Sequence, residues 1–252
     1  MRKEVDFLVI GSGIAGLCFA LKAANFGKVC MVTKAKMDDG STRYAQGGIA
    51  SVIYKPDTYE KHIEDTMVAG DELSDRHIVE LTIREATDRV MELVQWGVDF
   101  DKNKDGSFAL GKEGGHSMNR ILHHKDITGY EIEQTLIMAA RRTPNIEIYE
   151  DRLAVAIIPQ HHLGVEVNRR TPDITCYGAY VYNPESKNIH TILAKVTMMG
   201  QFQKAAGFFS AERPEESIAN NTPGGLSGSP EFCYSCSKRS RRKEDKEIFP
   251  AQ

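Results

Sequence analysis

Short apolar runs alternate along the chain with longer stretches in which apolar residues recur every three to four positions, and this pattern predicts strands and helices in turn. The first apolar run, Val5–Ile10, ends in glycines and is followed by a helical segment at 15–27 and by a second apolar run, Val29–Thr33. A strand, a glycine-rich turn, a helix and a strand in this order are typical of a βαβ unit, whose two strands are parallel.

Three further helices are predicted by apolar periodicity and by capping residues. The first covers 58–69. The second begins at an N-cap formed by Ser74 or Asp75 and ends at Gly97, because serine and aspartate cap helices and glycine commonly ends them. The third covers 129–142. Between these helices, segments 38–52 and 111–128 are polar and rich in glycine, so we expect loops there.

The chain from 146 onward predicts further strands. Ile146–Tyr149 would be the third strand of the parallel sheet, and the runs after it are joined by short polar turns, as in an antiparallel meander. The meander strands are predicted at Leu153–Pro159, Gly164–Asn168, Cys176–Tyr182 and Thr191–Met199. Residues 200–252 are rich in glycine, serine and proline and lack a periodic apolar pattern, so we expect a disordered, low-complexity tail.

Composition excludes some classes of protein. The formal net charge of −3 over 252 residues gives no reason to expect a nucleic-acid partner. The longest apolar runs are of strand length, well short of the ~20 residues that a membrane-spanning helix needs, so no membrane partner is expected. The five cysteines are odd in number and lie mostly in apolar runs, which favours reduced thiols and a cytoplasmic location.

The sequence GSGIAG at 11–16 has the spacing of a dinucleotide-binding fingerprint, and it lies between a predicted strand and a predicted helix, as such a motif requires. The expected acidic residue about 20 positions later is absent, and Thr33 and Lys34 stand there instead. Lys34 could contact a ribose or phosphate, or it could be a solvated strand end. The fingerprint residues are Gly11, Ser12, Gly13, Ile14, Ala15 and Gly16.

Two loops carry longer motifs, DGSTRYAQGGIASV at 39–52 and KEGGHSMNRILHHKDITG at 112–129. Together with the fingerprint, they resemble the L-aspartate oxidase family, which is related to the succinate dehydrogenase and fumarate reductase flavoproteins. The resemblance covers residues 5–199. It implies an α/β fold: a Rossmann-like FAD-binding domain at 1–199, incomplete, with a parallel sheet, inserted helices and an antiparallel β-meander, followed by the tail at 200–252.

The same resemblance implies FAD as the cofactor. The related respiratory flavoproteins carry a histidine that bonds covalently to FAD where this chain has Ser41, so non-covalent FAD is implied. Leu153 and Ala154 would meet the adenosine part of FAD through their backbone. The segment implied to wrap the pyrophosphate and reach the flavin consists of Ser41, Thr42, Arg43, Tyr44, Ala45, Gln46, Gly47 and Gly48.

The implied reaction is oxidation of L-aspartate to iminoaspartate, by hydride transfer from C2 to flavin N5, with O2 or fumarate as the final electron acceptor. Glu113 would help orient the substrate amino group. The product feeds quinolinate synthesis in de novo NAD synthesis, which makes quinolinate synthase a candidate partner.

Residues 200–252 match neither the family's ATGG-type turn nor its proton-transferring arginine. The sequence therefore predicts a truncated form and leaves its activity open. Two alternatives remain open as well: a fumarate reductase or succinate dehydrogenase flavoprotein, and a non-catalytic FAD-binding fragment.

No metal site is expected. His123, His124 and Asp126 have a spacing that matches no standard zinc pattern, and Cys233 and Cys236 lack a second pair of ligands, whereas structural zinc sites need four.

Overall fold

The structure is a computed structural model that describes residues 2–168 and 170–200. The tail predicted for 200–252 lies, from 201 onward, outside the described residues. The chain divides into two compact units. The first, the sheet unit, comprises the residues up to Met37 and those from Thr143 onward; the second, the helical unit, is Asp38–Arg142.

Strands and helices of the described residues are numbered here in chain order. Short 3-10 helices are also present at Ser41–Tyr44 and Gln160–Leu163. The elements are β1 (Arg2–Ile10), α1 (Ile14–Ala23), β2 (Val29–Val32), β3 (Ile49–Ala50), α2 (Tyr59–Ala69), α3 (Arg76–Gln95), β4 (Ile121–Leu122), α4 (Thr128–Arg142), β5 (Ile146–Tyr149), β6 (Leu153–Pro159), β7 (Cys176–Asn183) and β8 (Asn188–Met199).

The sheet unit contains one six-stranded sheet in the order β5-β2-β1-β8-β7-β6. β5, β2, β1 and β8 run parallel, with Phe7 opposite Val29 on one side and Val196 on the other. β8, β7 and β6 are antiparallel. This mixed sheet confirms the predicted α/β fold with a parallel sheet and an antiparallel meander. The last predicted strand is paired along both edges, by β1 and β7.

Burial follows from this topology. Strands covered on both faces are apolar throughout, and all four residues of β2 are buried, as is the Leu8–Ile10 end of β1. The apolar core of the sheet also takes side chains from the meander, among them Ala179, Val181 and Ile192. The last residues of β1 and β2, Ile10 and Val32, lie in this core, and the first glycine-rich turn follows Ile10.

The strand predicted at Gly164–Asn168 is wrong. Gly164 adopts φ +78° and closes the 3-10 helix before it, with its N–H donating to His161 O at 3.0 Å. The N–H of Asn168 donates to Thr171 Oγ1 at 2.8 Å, in a local turn. Val165 is 49% exposed. Val165 and Val167 alternate with polar residues as in a strand, but neither is buried, so the alternation does not correspond to a buried face.

In the helical unit, the helix predicted from Thr58 begins one residue later, and the Thr58 side chain caps it by accepting from Lys61 N. Asp75, one of the two predicted caps, accepts from the N–H groups of His77 and Ile78 at the start of α3. Gly97 has φ +105° just after α3.

Ile63, Met67 and Ile83 form a small core between α2 and α3. In this unit the predicted loops form a two-stranded β3–β4 sheet.

Within the described part of the chain, no helix is both long enough and apolar enough to cross a membrane.

Candidate functional site

The fingerprint turn lies where β1 ends in the sheet unit. Gly11 has φ +109°, a conformation that glycine adopts without strain, and its N–H donates to Val32 O at 2.8 Å. Gly16 packs against the same turn: an added Cβ would lie 2.3 Å from Gly11 O and 3.4 Å from Val9 Cγ1. The first and third glycines of the motif thus permit a tight turn and a close approach of helix to turn, as the sequence predicts.

The N-terminus of α1 can receive an anion. Gly13 is its N-cap and offers no side-chain hydrogen bond, and Ala15 in the first turn is exposed. Helix N-termini carry a partial positive charge and N–H groups that bind phosphate. This end of α1 therefore fits the pyrophosphate of a dinucleotide. The direct contacts of Ser12, Gly13, Ile14 and Ala15 with a cofactor stay a prediction.

Lys34 is exposed just beyond β2, whereas its neighbour Thr33 is buried. The Thr33 and Ser12 hydroxyls lie 3.2 Å apart and form a hydrogen bond. This bond connects the fingerprint to the residue that follows β2. Leu153 and Ala154 begin β6, opposite Tyr182 and Val181 of β7. Their predicted contacts with adenosine, and that of Lys34, stay predictions.

Gly200 follows β8 and packs against the fingerprint turn, a contact that the sequence analysis misses. Its N–H donates to Ile10 O at 2.7 Å, and an added Cβ would lie 3.0 Å from Gly16 Cα and 3.1 Å from Gly16 N. The end of β8 therefore packs its backbone directly on the fingerprint. A single glycine after a strand gives no sequence signal for such a contact, because the contact depends on β8 lying beside β1.

We expect Gly200→Ala to destabilise the chain by about 1–2 kcal/mol and to weaken FAD binding, because the new methyl group must push Gly16 away. Urea unfolding and FAD titration would measure both effects. Gly111→Ala is the matched control, since an added Cβ there meets neighbours only at ordinary contact distances of 3.6–3.8 Å. A Gly200→Ala chain as stable as the Gly111→Ala chain would contradict this expectation.

The Ser41–Gly48 segment, in the helical unit, is held by two close backbone approaches. An added Cβ on Gly129 would lie 2.0 Å from Thr42 O, and the Gly129 N–H donates to Ala45 O at 2.9 Å. At the other end, an added Cβ on Gly48 would lie 2.2 Å from Leu122 O. Glycines at these positions therefore allow the segment to pack between α4 and β4.

The side chains of this segment are mostly accessible. Tyr44 is 72% exposed, and Arg43 forms an ion pair with Asp38 and lies 5.2 Å above the Tyr130 ring. The cofactor contacts predicted for Ser41, Thr42, Arg43, Tyr44, Ala45, Gln46, Gly47 and Gly48 stay predictions.

Glu113 lies close to this segment within the same unit. Its side chain is exposed, and its Oε1 atom would be 4.0 Å from a Cβ added to Gly47. The loop that carries Glu113, here called the Glu113 loop, covers residues 112–119. Ser117 fixes it to α2, because the Ser117 N–H and hydroxyl both donate to Asp65, at 2.7 and 2.8 Å. The structure thus brings the predicted substrate-orienting carboxylate next to the YAQGG motif.

A buried ion network underlies this loop, and the sequence analysis misses it. Arg120 has no exposed surface. Its Nε and Nη2 donate to the two Asp57 oxygens at 2.9 and 2.8 Å, and its Nη1 donates to Asp65 at 2.6 Å. Although burial alone would raise the pKa of Asp65, the hydrogen bonds from Ser117 and Arg120 hold that pKa below its usual value.

Two histidines, His62 and His116, lie beside the network, with their ring centroids 5.9 Å apart. Burial, then the positive charge of Arg120, lowers the pKa of His62 to about 4, so His62 is neutral at neutral pH. The Nδ1 atoms of His62 and His116 are buried without a hydrogen-bond partner among the described residues. Within 2–168 and 170–200, no group of three histidine, cysteine, aspartate or glutamate side chains could hold a metal ion.

In the parallel part of the mixed sheet, a glycine fingerprint follows β1 and leads into α1, whose N-terminus has no side-chain cap. These features define a dinucleotide-binding α/β protein. The chain belongs to the FAD binding domain family, whose model matches residues 6–226. FAD is therefore its cofactor. The turn at Gly11–Gly16 fits this group, because it leaves the helix N-terminus open to an anion and has no room for larger residues at Gly16.

Similar proteins with curated names are L-aspartate oxidases. The chain is 40% identical over 201 residues to L-aspartate oxidase 2-b, chloroplastic, of Nicotiana tabacum, a match that covers 79% of this chain and 30% of that protein. It is 38% identical over 217 residues to L-aspartate oxidase of Pseudomonas aeruginosa, covering 83% and 39%. The chain thus spans less than half the length of these relatives.

Among solved structures, the chain resembles Mycobacterium smegmatis Sdh1 in complex with UQ1, with a TM-score of 0.66 and 29% identity over 79% of this chain and 34% of that one. It also shares its fold with Escherichia coli quinol fumarate reductase FrdA, with a TM-score of 0.70 and 24% identity over 79% and 32% of the two chains.

Proposed function

We propose that the chain is the FAD-binding part of an L-aspartate oxidase, which holds FAD non-covalently and oxidises L-aspartate to iminoaspartate. The observation that carries the proposal is the exposed Glu113 carboxylate beside Gly47. The named relatives in Nicotiana tabacum and Pseudomonas aeruginosa support it.

Glu113 suits an amino-acid substrate because a carboxylate forms a charge-assisted hydrogen bond with an ammonium group. Asp65 accepts hydrogen bonds from Ser117 and Arg120 and so holds the loop that carries Glu113. A substrate ammonium would then be oriented by a carboxylate on a loop that is held in place. Bound FAD would supply the two-electron acceptor for the substrate C–H bond. O2 or fumarate would then take the electrons, and the product would enter quinolinate synthesis on the route to NAD.

Ser41 supports non-covalent binding, since a serine hydroxyl is a poor candidate for a bond to the flavin ring. A succinate dehydrogenase or fumarate reductase type of flavoprotein is the second candidate, favoured by the likeness to Mycobacterium smegmatis Sdh1. Acid precipitation distinguishes the two candidates, because only covalently bound flavin stays with the precipitated protein. We expect the yellow colour to remain in the supernatant, whereas flavin in the pellet would favour the second candidate.

Peroxide release with L-aspartate tests the reaction, and flavin content tests cofactor binding separately. A chain that binds FAD, releases no peroxide and shows no flavin absorbance change with L-aspartate would instead be a non-catalytic FAD-binding fragment.

Glu113→Gln is expected to weaken the binding of L-aspartate to the FAD-loaded chain by about 10- to 100-fold, the effect of losing one hydrogen bond to a charged group. Succinate is the matched ligand, because it has the same two carboxylates and lacks the ammonium, and its affinity should change little. Titration of the flavin absorbance with each ligand gives both dissociation constants. Equal losses for the two ligands would exclude the proposed role of Glu113.

A further inference from the structure

Glu133 is a buried carboxyl group for which the proposed reaction has no use. It lies on α4, one turn after Gly129, and it has no exposed surface. Neither of its carboxyl oxygens has a hydrogen-bond partner among the described residues. A carboxylate buried in this way loses the water that stabilises its charge and gains no donor in return. The folded chain therefore favours the neutral acid.

The backbone of a loop covers this carboxyl group. An added Cβ on Gly40 would lie 3.1 Å from Glu133 Oε1, so the chain at Gly40 lies against the carboxyl. Gly40 belongs to residues 38–48, here called the flap. The flap also contacts α4 one turn earlier, where the Gly129 N–H donates to Ala45 O at 2.9 Å. Both contacts are lost if the flap moves away from α4.

The charges that act on Glu133 belong to the flap itself. Burial raises the pKa of Glu133 to about 7, Asp38 raises this pKa further, Arg43 lowers it and Asp39 raises it. Arg43 is itself paired with Asp38, so that carboxylate balances part of its charge. An ionised Glu133 is thus repelled by two carboxylates of the segment that covers it.

The flap is also the part of this region that can move at the smallest cost. None of its residues is buried, and Tyr44 is 72% exposed. Segments with few buried apolar contacts open locally at a much lower free energy than the whole chain unfolds. The helix beneath it, in contrast, buries Ile132, Leu136 and Ala140. Movement of the flap, rather than of α4, would therefore give an ionised Glu133 access to water.

We propose that the flap is a proton-controlled switch, which lies closed on α4 while Glu133 is neutral and lifts from α4 when Glu133 ionises. The carboxyl has a raised pKa of about 7 in the closed form and its ordinary pKa, 4.5, once it reaches water. Rising pH therefore favours the open form between these two values and has little further effect above them. The inference goes beyond the proposed function and needs neither bound FAD nor substrate.

The test is amide hydrogen exchange of the full chain freed of flavin, followed by NMR at pH 6 and pH 8 and corrected for intrinsic exchange rates. The Gly129 N–H reports the flap, because its acceptor is Ala45 O. The Glu131 N–H donates to Ile127 O at 3.1 Å and reports fraying of α4. We expect the opening constant at Gly129 to rise about tenfold from pH 6 to pH 8 and that at Glu131 to stay unchanged.

Two variants remove the proton from this equilibrium. Glu133→Gln and Glu133→Leu cannot ionise, so the opening constant at Gly129 should be independent of pH in both. Glu131→Gln is the matched control, because it removes a half-buried carboxyl from the same helix, and it should keep the tenfold rise at Gly129. Far-UV circular dichroism shows whether each variant is folded.

Three results would overturn the inference. They are a constant at Gly129 that does not change with pH in the parent, a rise that persists in Glu133→Gln and Glu133→Leu, and equal rises at Gly129 and Glu131, which would mean that α4 loosens instead of the flap. A separate FAD titration of the parent tests cofactor binding. A chain whose flap opens with pH as expected but which binds no FAD would contradict the proposed function and leave the switch intact.

Discussion

Gly16→Ala is expected to remove saturable FAD binding and to lower the free energy of unfolding by about 3 kcal/mol or more. The new methyl group would lie 2.3 Å from the carbonyl oxygen of Gly11, and because this is a backbone atom no side-chain adjustment relieves the clash. Either α1 moves away from β1, or the turn at Gly11 opens. Both movements displace the helix N-terminus that is to face the pyrophosphate, so stability and affinity should fall together.

Thermal unfolding followed by circular dichroism, with FAD titration at 25 °C, would measure the two losses. The loss of stability corresponds to a fall in Tm of about 10 °C for a chain of this size. Gly111→Ala is again the control, because its added Cβ meets only ordinary contacts. A Gly16→Ala chain that binds FAD like the Gly111→Ala control would show that the turn tolerates a side chain.

The local parts of the fold could be predicted from the sequence. The βαβ unit, the cap at Asp75 and the end of α3 at Gly97 all depend on residues within a few positions of each other. The neighbours of β8 could not be predicted, because pairing between β1 and β8 joins residues almost 200 positions apart and no local pattern specifies it. Gly200 was missed for the same reason.

The exposed loops of the candidate site were predicted as sequence motifs, whereas its buried charges were not. Arg120 lies in a polar, histidine-rich segment, where an arginine is ordinarily solvated, and only the folded chain brings Asp57 and Asp65 to it. For Glu133, in contrast, the sequence pattern does indicate a buried carboxyl group. It occupies the helical face of Leu136, Ile137 and Ala140, all of them buried, and a carboxyl group at an apolar position of a helix indicates either a buried partner or a functional role.

Arg120→Met is expected to destabilise the helical unit by about 3–5 kcal/mol at neutral pH, because it leaves the carboxylates of Asp57 and Asp65 without their cation. Asp57 is almost fully buried and receives two hydrogen bonds from Arg120. The Glu113 loop is joined to α2 through Asp65, so the substitution should also weaken the binding of L-aspartate to the FAD-loaded chain.

Arg76→Met is the matched control. Arg76 also pairs with two carboxylates, Glu64 at 3.7 Å and Glu80 at 3.3 Å, but its side chain is 56% exposed, and exposed pairs contribute about 1 kcal/mol or less. Urea unfolding at several pH values separates the two variants further. In the parent, the hydrogen bond from Arg120 helps to lower the pKa of Asp65. Without that donor Asp65 is protonated more easily, so the stability of Arg120→Met relative to the parent should recover as the pH falls into the acid range. Equal losses in Arg120→Met and Arg76→Met, or a loss in Arg120→Met that does not change with pH, would mean that burial of the arginine adds nothing to the strength of the network.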